Sequence, residues 1–222
     1  MCILDGVHRQ KRKYQTCGVN NINGMFYDSG RDRTDKATFW RDRTRYAPHN
    51  AYTNTEKILK VAEDKGYRTT SDEESVLNYV ADEVMLESGQ DATKISIPYY
   101  GSYNVVSYKY DSENKVYERY SKGRKQVSAE TSKPITAKNI IITFAGNATI
   151  SDGSRKGRQD LDNIKKLKGY YITNGKAIKI TCEKKSHKDK TIYRDLEGNE
   201  IQVNDGNTYI NICPLKAKIT IK

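Results

Sequence analysis

Tyr170-Tyr171-Ile172-Thr173-Asn174-Gly175-Lys176-Ala177-Ile178-Lys179-Ile180-Thr181 is the stretch from which the fold is read. Two runs rich in β-branched and aromatic residues flank Asn174-Gly175, the dipeptide best suited to a two-residue hairpin turn. The same pattern recurs on either side. Upstream, Lys94-Ile95-Ser96-Ile97 alternates with period two, and Asn104 to Tyr110 reads as a strand. Asp111-Ser112-Glu113-Asn114 then turns the chain into a second strand, Lys115 to Tyr120. Ile140-Ile141-Ile142-Thr143-Phe144 is the most apolar run and predicts a central strand. Downstream, strands are expected at Thr191 to Arg194, Glu200 to Val203 and Thr208 to Ile212, with Gly198 and Asp205-Gly206 in the turns. Strands at this pace, with no helix between them, predict an antiparallel sheet or small barrel-like domain. Gly146 to Gln159, rich in Gly, Ser, Arg and Lys, predicts an exposed loop within it.

The period changes before residue 90. Thr53-x-x-Glu56 has the form of a capping box, and Ile58, Leu59, Val61 and Ala62 supply an apolar stripe that Gly66 can end. These signals predict a helix from Asn54 to Lys65. A second helix is expected over roughly Asp72 to Glu87, because Val76, Leu77, Val80 and Val84 recur at helical spacing behind acidic Asp72, Glu73 and Glu74. Residues 1–30 hold no self-sufficient apolar unit. His8 to Lys13 is a basic run, and Val19 to Gly24 resembles a turn-rich connection. The fold class expected is therefore α+β. A helical, truncated N-terminal portion with two helices covers residues 1–90, and an antiparallel β domain covers 91–222.

Composition narrows the class. The 222 residues carry a formal charge of +11, with 36% hydrophobic and 30% charged residues, a mean hydropathy of -0.86 and 17 tyrosines. That aromatic content argues against a disordered chain. The charge is uneven: 51–100 holds 5 Lys/Arg against 10 Asp/Glu, while 154–190 holds 12 against 4, a net of +8. Interaction with nucleic acid through the basic segment ranks second, because Tyr170 and Tyr171 are its only aromatics. No run of 18 apolar residues spans a bilayer, and Met1-Cys2-Ile3-Leu4-Asp5 lacks the form of a signal peptide. The four cysteines, Cys2, Cys17, Cys182 and Cys213, form no C-x-x-C pair and no zinc-type spacing, so no metal or cofactor is implied. A bridge between Cys182 and Cys213 stays open.

Residues Phe39 to Thr55 gather the chemistry: Trp40, Arg41, Arg43, Arg45, Tyr46, His49, Asn50 and Tyr52. If this segment is extended, Arg41, Arg43 and Arg45 fall on one face and can hold a phosphate or carboxylate. Asp42 and Asp35 can equally neutralise them. His49 can act as acid or base, bind a ligand, or serve as a structural ring in an ordered loop. No Ser or Cys nucleophile with a base partner can be named, which points away from an enzyme.

Phe39-Trp40-Arg41 and Arg45-x-Ala47-Pro48-His49-Asn50-x-Tyr52-Thr53-x-Thr55 resemble the YerB-like family of bacterial lipoproteins, a two-domain family of unassigned function. Weaker matches continue in order through Val106-x-Tyr108-x-Tyr110-Asp111, Ile135-x-Ala137-x-Asn139-Ile140-Ile141, Asn174-Gly175 and Asn204-x-Gly206-x-Thr208 to Ile212-x-Pro214. The resemblance covers about Asn20 to Pro214. Cys182 stands where the family carries a tryptophan. The resemblance implies a membrane-anchored, extracytoplasmic protein, whereas this sequence, without a visible signal, reads as a truncated frame or a cytoplasmic fragment. It further implies a non-enzymatic, envelope-associated binding or interaction protein. The residues themselves make Arg41, Arg43, Arg45, His49, Asn50 and Tyr52 the binding candidates, for an anionic envelope polymer or a partner protein. The rival readings are a wall-polymer hydrolase or transferase using His49, and a basic nucleic-acid-binding protein.

Overall fold

The computed structural model describes residues 2–5, 24–27, 37–47, 49–70, 75–153, 157–186 and 189–222, the first two ranges by their backbone alone. The expectations for His8 to Lys13, Val19 to Asn23, Cys17, Asp35 and the acidic start at Asp72 to Glu74 lie outside the described residues. The chain divides into two units, Met1–Glu74 and Ser75–Lys222.

In the first unit, β1 (Cys2–Asp5) pairs in parallel with β2 (Gly24–Tyr27). β3 (Trp40–Arg41) pairs antiparallel with β4 (Ala51–Tyr52), and α1 (Thr55–Asp64) follows. The helix expected at 54–65 is present, but its cap differs from the expected box. Asn54 is the N-cap, its Oδ1 accepting from the Lys57 amide at 2.9 Å. The Thr53 hydroxyl instead donates to the Thr38 carbonyl at 2.7 Å. Gly66, at φ +61, ends the helix in the left-handed region. Val61 and Ala62 bury against Phe39, with Ile58 and Tyr67 packed at the margin.

The second helix does not form, and no described residue after Asp64 is helical. The α+β expectation is corrected accordingly: after α1 the described elements are all β, and among the described residues only α1 and residues 37–38 are helical, so the fold is not a helical portion followed by a sheet. The reason is non-local. β5 (Tyr79–Val80) pairs in parallel with β17 (Val203–Asn204), so the backbone that a helix would use is committed to a distant strand. The Asn204 side chain accepts from the Val84 amide at 2.7 Å and donates to the Val84 carbonyl at 3.0 Å. Leu77 enters a core, while Val76 and Tyr79 stay 48% and 42% exposed, so no single apolar stripe exists to bury. Glu83 closes the segment down by accepting from Lys115 at 2.7 Å and Lys138 at 2.9 Å.

The remaining strands form two sheets. The smaller one runs β10 (Arg124–Lys125), β9 (Val116–Ser121), β8 (Asn104–Asp111), β7 (Lys94–Tyr100) and β19 (Thr220–Ile221), with β11 (Thr136–Ala137) also on β9. The larger one runs β13 (Gln159–Asp162), β12 (Asn139–Thr149), β14 (Lys166–Thr173), β15 (Lys176–Glu183) and β16 (Ile192–Arg194). β18 (Thr208–Pro214) pairs with β12, and β6 (Gln90–Asp91) with β15. A second correction follows: the β12–β18 pair is parallel, so the larger sheet is mixed and not antiparallel throughout. The loop expected from Gly146 is partly strand, since β12 continues to Thr149 and pairs there with β13.

The apolar run at Ile140-Ile141-Ile142 is central, bordered by β14 on one side and β18 on the other. It is continuous because both faces of its sheet are covered. Ile140 and Ile142 pack with Ile95, Ile97, Tyr108 and Tyr117 of the smaller sheet. Ile141 points the other way, toward Leu77, Tyr171, Ile180 and Val203. All three isoleucines are fully buried, each stabilising the fold by about 1.5–3 kcal/mol. The Asn174-Gly175 turn has φ of 49° and 75°, as a tight hairpin requires, and the Gly175 amide donates to the buried Tyr117 hydroxyl at 2.9 Å. Cys182 and Cys213 are free and lie in different cores, so no bridge joins them. Burial pushes their thiols up, to about 12 and about 11.

Candidate functional site

The nine residues between β3 and β4 form a loop whose ends are joined across the strand pair. Asp42 donates its amide to the Asn50 carbonyl at 2.8 Å, continuing that ladder by one rung. Asn50 then fastens the loop from inside. Its Nδ2 donates to the carbonyls of Asp42 at 3.0 Å and Arg45 at 3.1 Å, and its Oδ1 accepts from Arg41 Nη1 at 2.5 Å. The residue is 8% exposed, with its side-chain amide turned into the loop.

Asp42 makes the opposite half of the turn. Its Oδ1 accepts from the Thr44 hydroxyl at 2.6 Å and the Thr44 amide at 2.8 Å. The Thr44 hydroxyl, first, and the Thr44 amide hold its carboxyl below the usual carboxylate range, with Arg45 Nε adding attraction at 3.9 Å. Because residues 42–47 turn, Arg41, Arg43 and Arg45 do not form the row that an extended segment would give. Arg41 is tied to Asn50, Arg43 points outward exposed, and Arg45 lies over the Tyr52 ring with its guanidinium carbon 5.8 Å from the centroid.

Tyr52 stacks in turn on Trp40, its cross-strand partner, with ring centroids 6.2 Å apart. Trp40 is 41% exposed and Tyr46 is 93% exposed. His49 is exposed and has no hydrogen-bond partner among the described residues, while Pro48 beside it lies outside them. The structure thus brings Arg45, Tyr52 and Trp40 into one stack. It assigns Arg41 and Asn50 to holding the loop, and leaves Arg43 and His49 as outward groups. The fastening role of Asn50 and the turn made by Asp42 were not recognised from sequence. The Asp42-x-Thr44 spacing, suited to a side-chain-to-backbone turn, was the available signal.

This geometry can hold an anion or an aromatic or sugar ring against a preset surface. Among the described residues no group of three His, Cys, Asp or Glu side chains could hold a metal ion. No helix of the described residues is long and apolar enough to cross a membrane.

Comparison with known proteins agrees with the resemblance in the sequence. Residues 4–68 match the N-terminal domain, and residues 95–210 the C-terminal domain, of a family described as a protein of unknown function (DUF3048). YerB of Bacillus subtilis (strain 168), named as a candidate lipoprotein, is 28% identical over 215 residues, 92% of this chain. The chain spans 57% of that relative's length. The crystal structure of B. subtilis YerB superposes with a TM-score of 0.76 at 24% identity, covering 98% of this chain and 69% of that one.

Proposed function

The chain belongs to the DUF3048 family, whose function is unassigned, and on that premise we propose that it is a non-enzymatic binding protein of the bacterial cell envelope. Its ligand is an anionic envelope polymer or a partner protein bearing an anionic patch, and the loop between β3 and β4 makes the contact. The single observation carrying this reading is the division of labour within that loop. Buried Asn50 sets its shape, while Trp40, Arg45, Tyr46, His49 and Tyr52 are displayed around it. A loop already fixed in shape loses little entropy on binding. The relative's name as a candidate lipoprotein supports an extracytoplasmic, membrane-anchored location. The two buried thiols, pushed up to about 12 and about 11, support a non-nucleophilic role for Cys182 and Cys213.

The test is titration of the chain with poly(glycerol phosphate), using neutral dextran as control. The Arg45→Ala/His49→Ala variant should lose at least about tenfold in affinity, and its melting temperature should stay that of the parent because both side chains are exposed. A variant that binds normally refutes the assignment. Turnover of a wall polymer, lost on replacing His49 alone, would favour the hydrolase or transferase reading.

A further inference from the structure

A second candidate site lies on the larger sheet, within Ser75–Lys222. The face of the larger sheet that buries Ile140, Ile142, Ile172 and Ala177 is closed over by the smaller sheet only along part of its length. Farther along β12 and β14 the same face carries Phe144 and Tyr170, set edge to face with centroids 6.3 Å apart. These two rings line an open groove of about 1000 Å3, whose other wall, between β18 and β19, includes Leu215 and Ile219.

The groove is basic at its rim. Lys165, Lys166, Lys168, Lys179 and Lys218 line it, and no acidic residue does. Lys166 is paired with Glu183 at 2.9 Å, and Lys165 with Asp162. Lys168, Lys179 and Lys218 are exposed and have no ion pair among the described residues. The pattern was present in the sequence: Lys166-x-Lys168-x-Tyr170 places two lysines and an aromatic on one strand face.

An adjoining cavity of about 600 Å3 shares Tyr170, Lys179 and Leu196 with this groove. Its character is different. Met85, Leu86 and Ile178 line it together with Glu87, Asp195 and Glu197. The track therefore has a cationic groove at one end and, at the other, a cavity that mixes apolar side chains with carboxylates, the two meeting at Tyr170, Lys179 and Leu196. A polyanion charged along its length would meet repulsion at the carboxylates and leave the apolar side chains unburied.

We propose that this track binds a single-chain anionic amphiphile, its phosphate or carboxylate head among Lys168, Lys179 and Lys218 and its hydrocarbon tail over Tyr170 toward Met85. The lysines supply point charges for the head. Burial of the tail against exposed Leu215, Leu196 and Met85, which are 63%, 65% and 58% exposed, supplies the apolar gain. The carboxylates at the far end set the direction in which the molecule lies.

The experiment is calorimetric titration of the whole chain with dodecyl phosphate below its micelle concentration. Parallel titrations use dodecanoate, dodecyl maltoside, inorganic phosphate and polyphosphate. One dodecyl phosphate should bind per chain, at least about tenfold tighter than dodecyl maltoside or inorganic phosphate. The stronger of dodecyl phosphate and dodecanoate identifies the headgroup. Lys168→Gln/Lys179→Gln/Lys218→Gln should weaken the anionic ligands at least about tenfold and leave the maltoside unchanged. Met85→Glu, at an exposed position, should weaken every tailed ligand. The Arg45→Ala/His49→Ala variant should bind all of them as the parent does, which separates this site from the loop. Equal binding of dodecyl maltoside, displacement by polyphosphate at equal affinity, or an unaffected triple variant would each overturn the proposal.

Discussion

Replacing Asn50 by Ala removes a buried side chain that ties the β3–β4 loop together. Two neutral hydrogen bonds to the carbonyls of Asp42 and Arg45 go, as does one charge-assisted bond from Arg41. Net values of about 1 kcal/mol for each neutral bond and about 1.5–3 kcal/mol for the charged one set an upper range of about 3.5–5 kcal/mol. The two carbonyls belong to half-buried Asp42 and exposed Arg45, so rehydration recovers part of this. The expected loss from the first unit is about 2–3 kcal/mol. Asn50→Asp is the sharper probe. It keeps an oxygen facing Arg41 and strengthens that contact, yet places a carboxylate against two carbonyls that had received N–H groups. Asn50→Asp should therefore not rescue stability, although it is nearly isosteric and adds an ion pair. Urea melts followed by Trp40 fluorescence read the effect, since Trp40 is the sole tryptophan and sits at the loop's base. If Asn50→Ala melts like the parent while ligand binding disappears, Asn50 is a contact residue and the fastener argument is wrong.

Three further outcomes follow from the geometry. A Cβ on Gly169 would overlap the Ile142 carbonyl oxygen, between two central strands. Gly169→Ala should thus cost more than about 4 kcal/mol, read as loss of the cooperative thermal transition. In a Cys2→Ser/Cys17→Ser background, Cys182 and Cys213 should resist iodoacetamide at pH 8 until denaturant is added. Labelling of the native chain at the free-thiol rate would contradict their burial. Glu83 is held down to about 2 from an ordinary 4.5, first by the hydrogen bond from Lys115 and then by that from Lys138. A carboxylate with a depressed folded pKa stabilises above its unfolded pKa and loses that contribution as pH falls through the folded one. The stability difference between the parent and Glu83→Gln should be constant above pH 4.5 and vanish toward pH 2. A difference that grows on acidification would reverse the sign and refute the ion-pair assignment.

Much of the second unit was legible because its signals are local. Asn174-Gly175 determines a turn by its own φ preferences, and Asp111 to Asn114 closes its hairpin through Asp111 Oδ1 accepting from the Glu113 and Asn114 amides. Ile140 to Ile142 announces a strand covered on both faces by being apolar without alternation. What failed was decided at long range. Val76, Leu77, Val80 and Val84 fit a helix in isolation, but β17 and the Asn204 side chain, more than 100 residues away, take that backbone. No local feature of Thr208 to Ile212 states that it will lie parallel to β12. At the candidate site the residue types were visible in the sequence, and their roles were not. Arg41 and Arg45 look alike as letters, yet one braces Asn50 and the other covers Tyr52.

Amide hydrogen exchange on the whole chain, with and without poly(glycerol phosphate), tests the assignment of function most directly. Exchange should slow in the loop from Arg41 to Tyr52, with the larger sheet of the second unit unchanged. Protection confined to β14 and β15, with the loop exchanging as in the free protein, would contradict it.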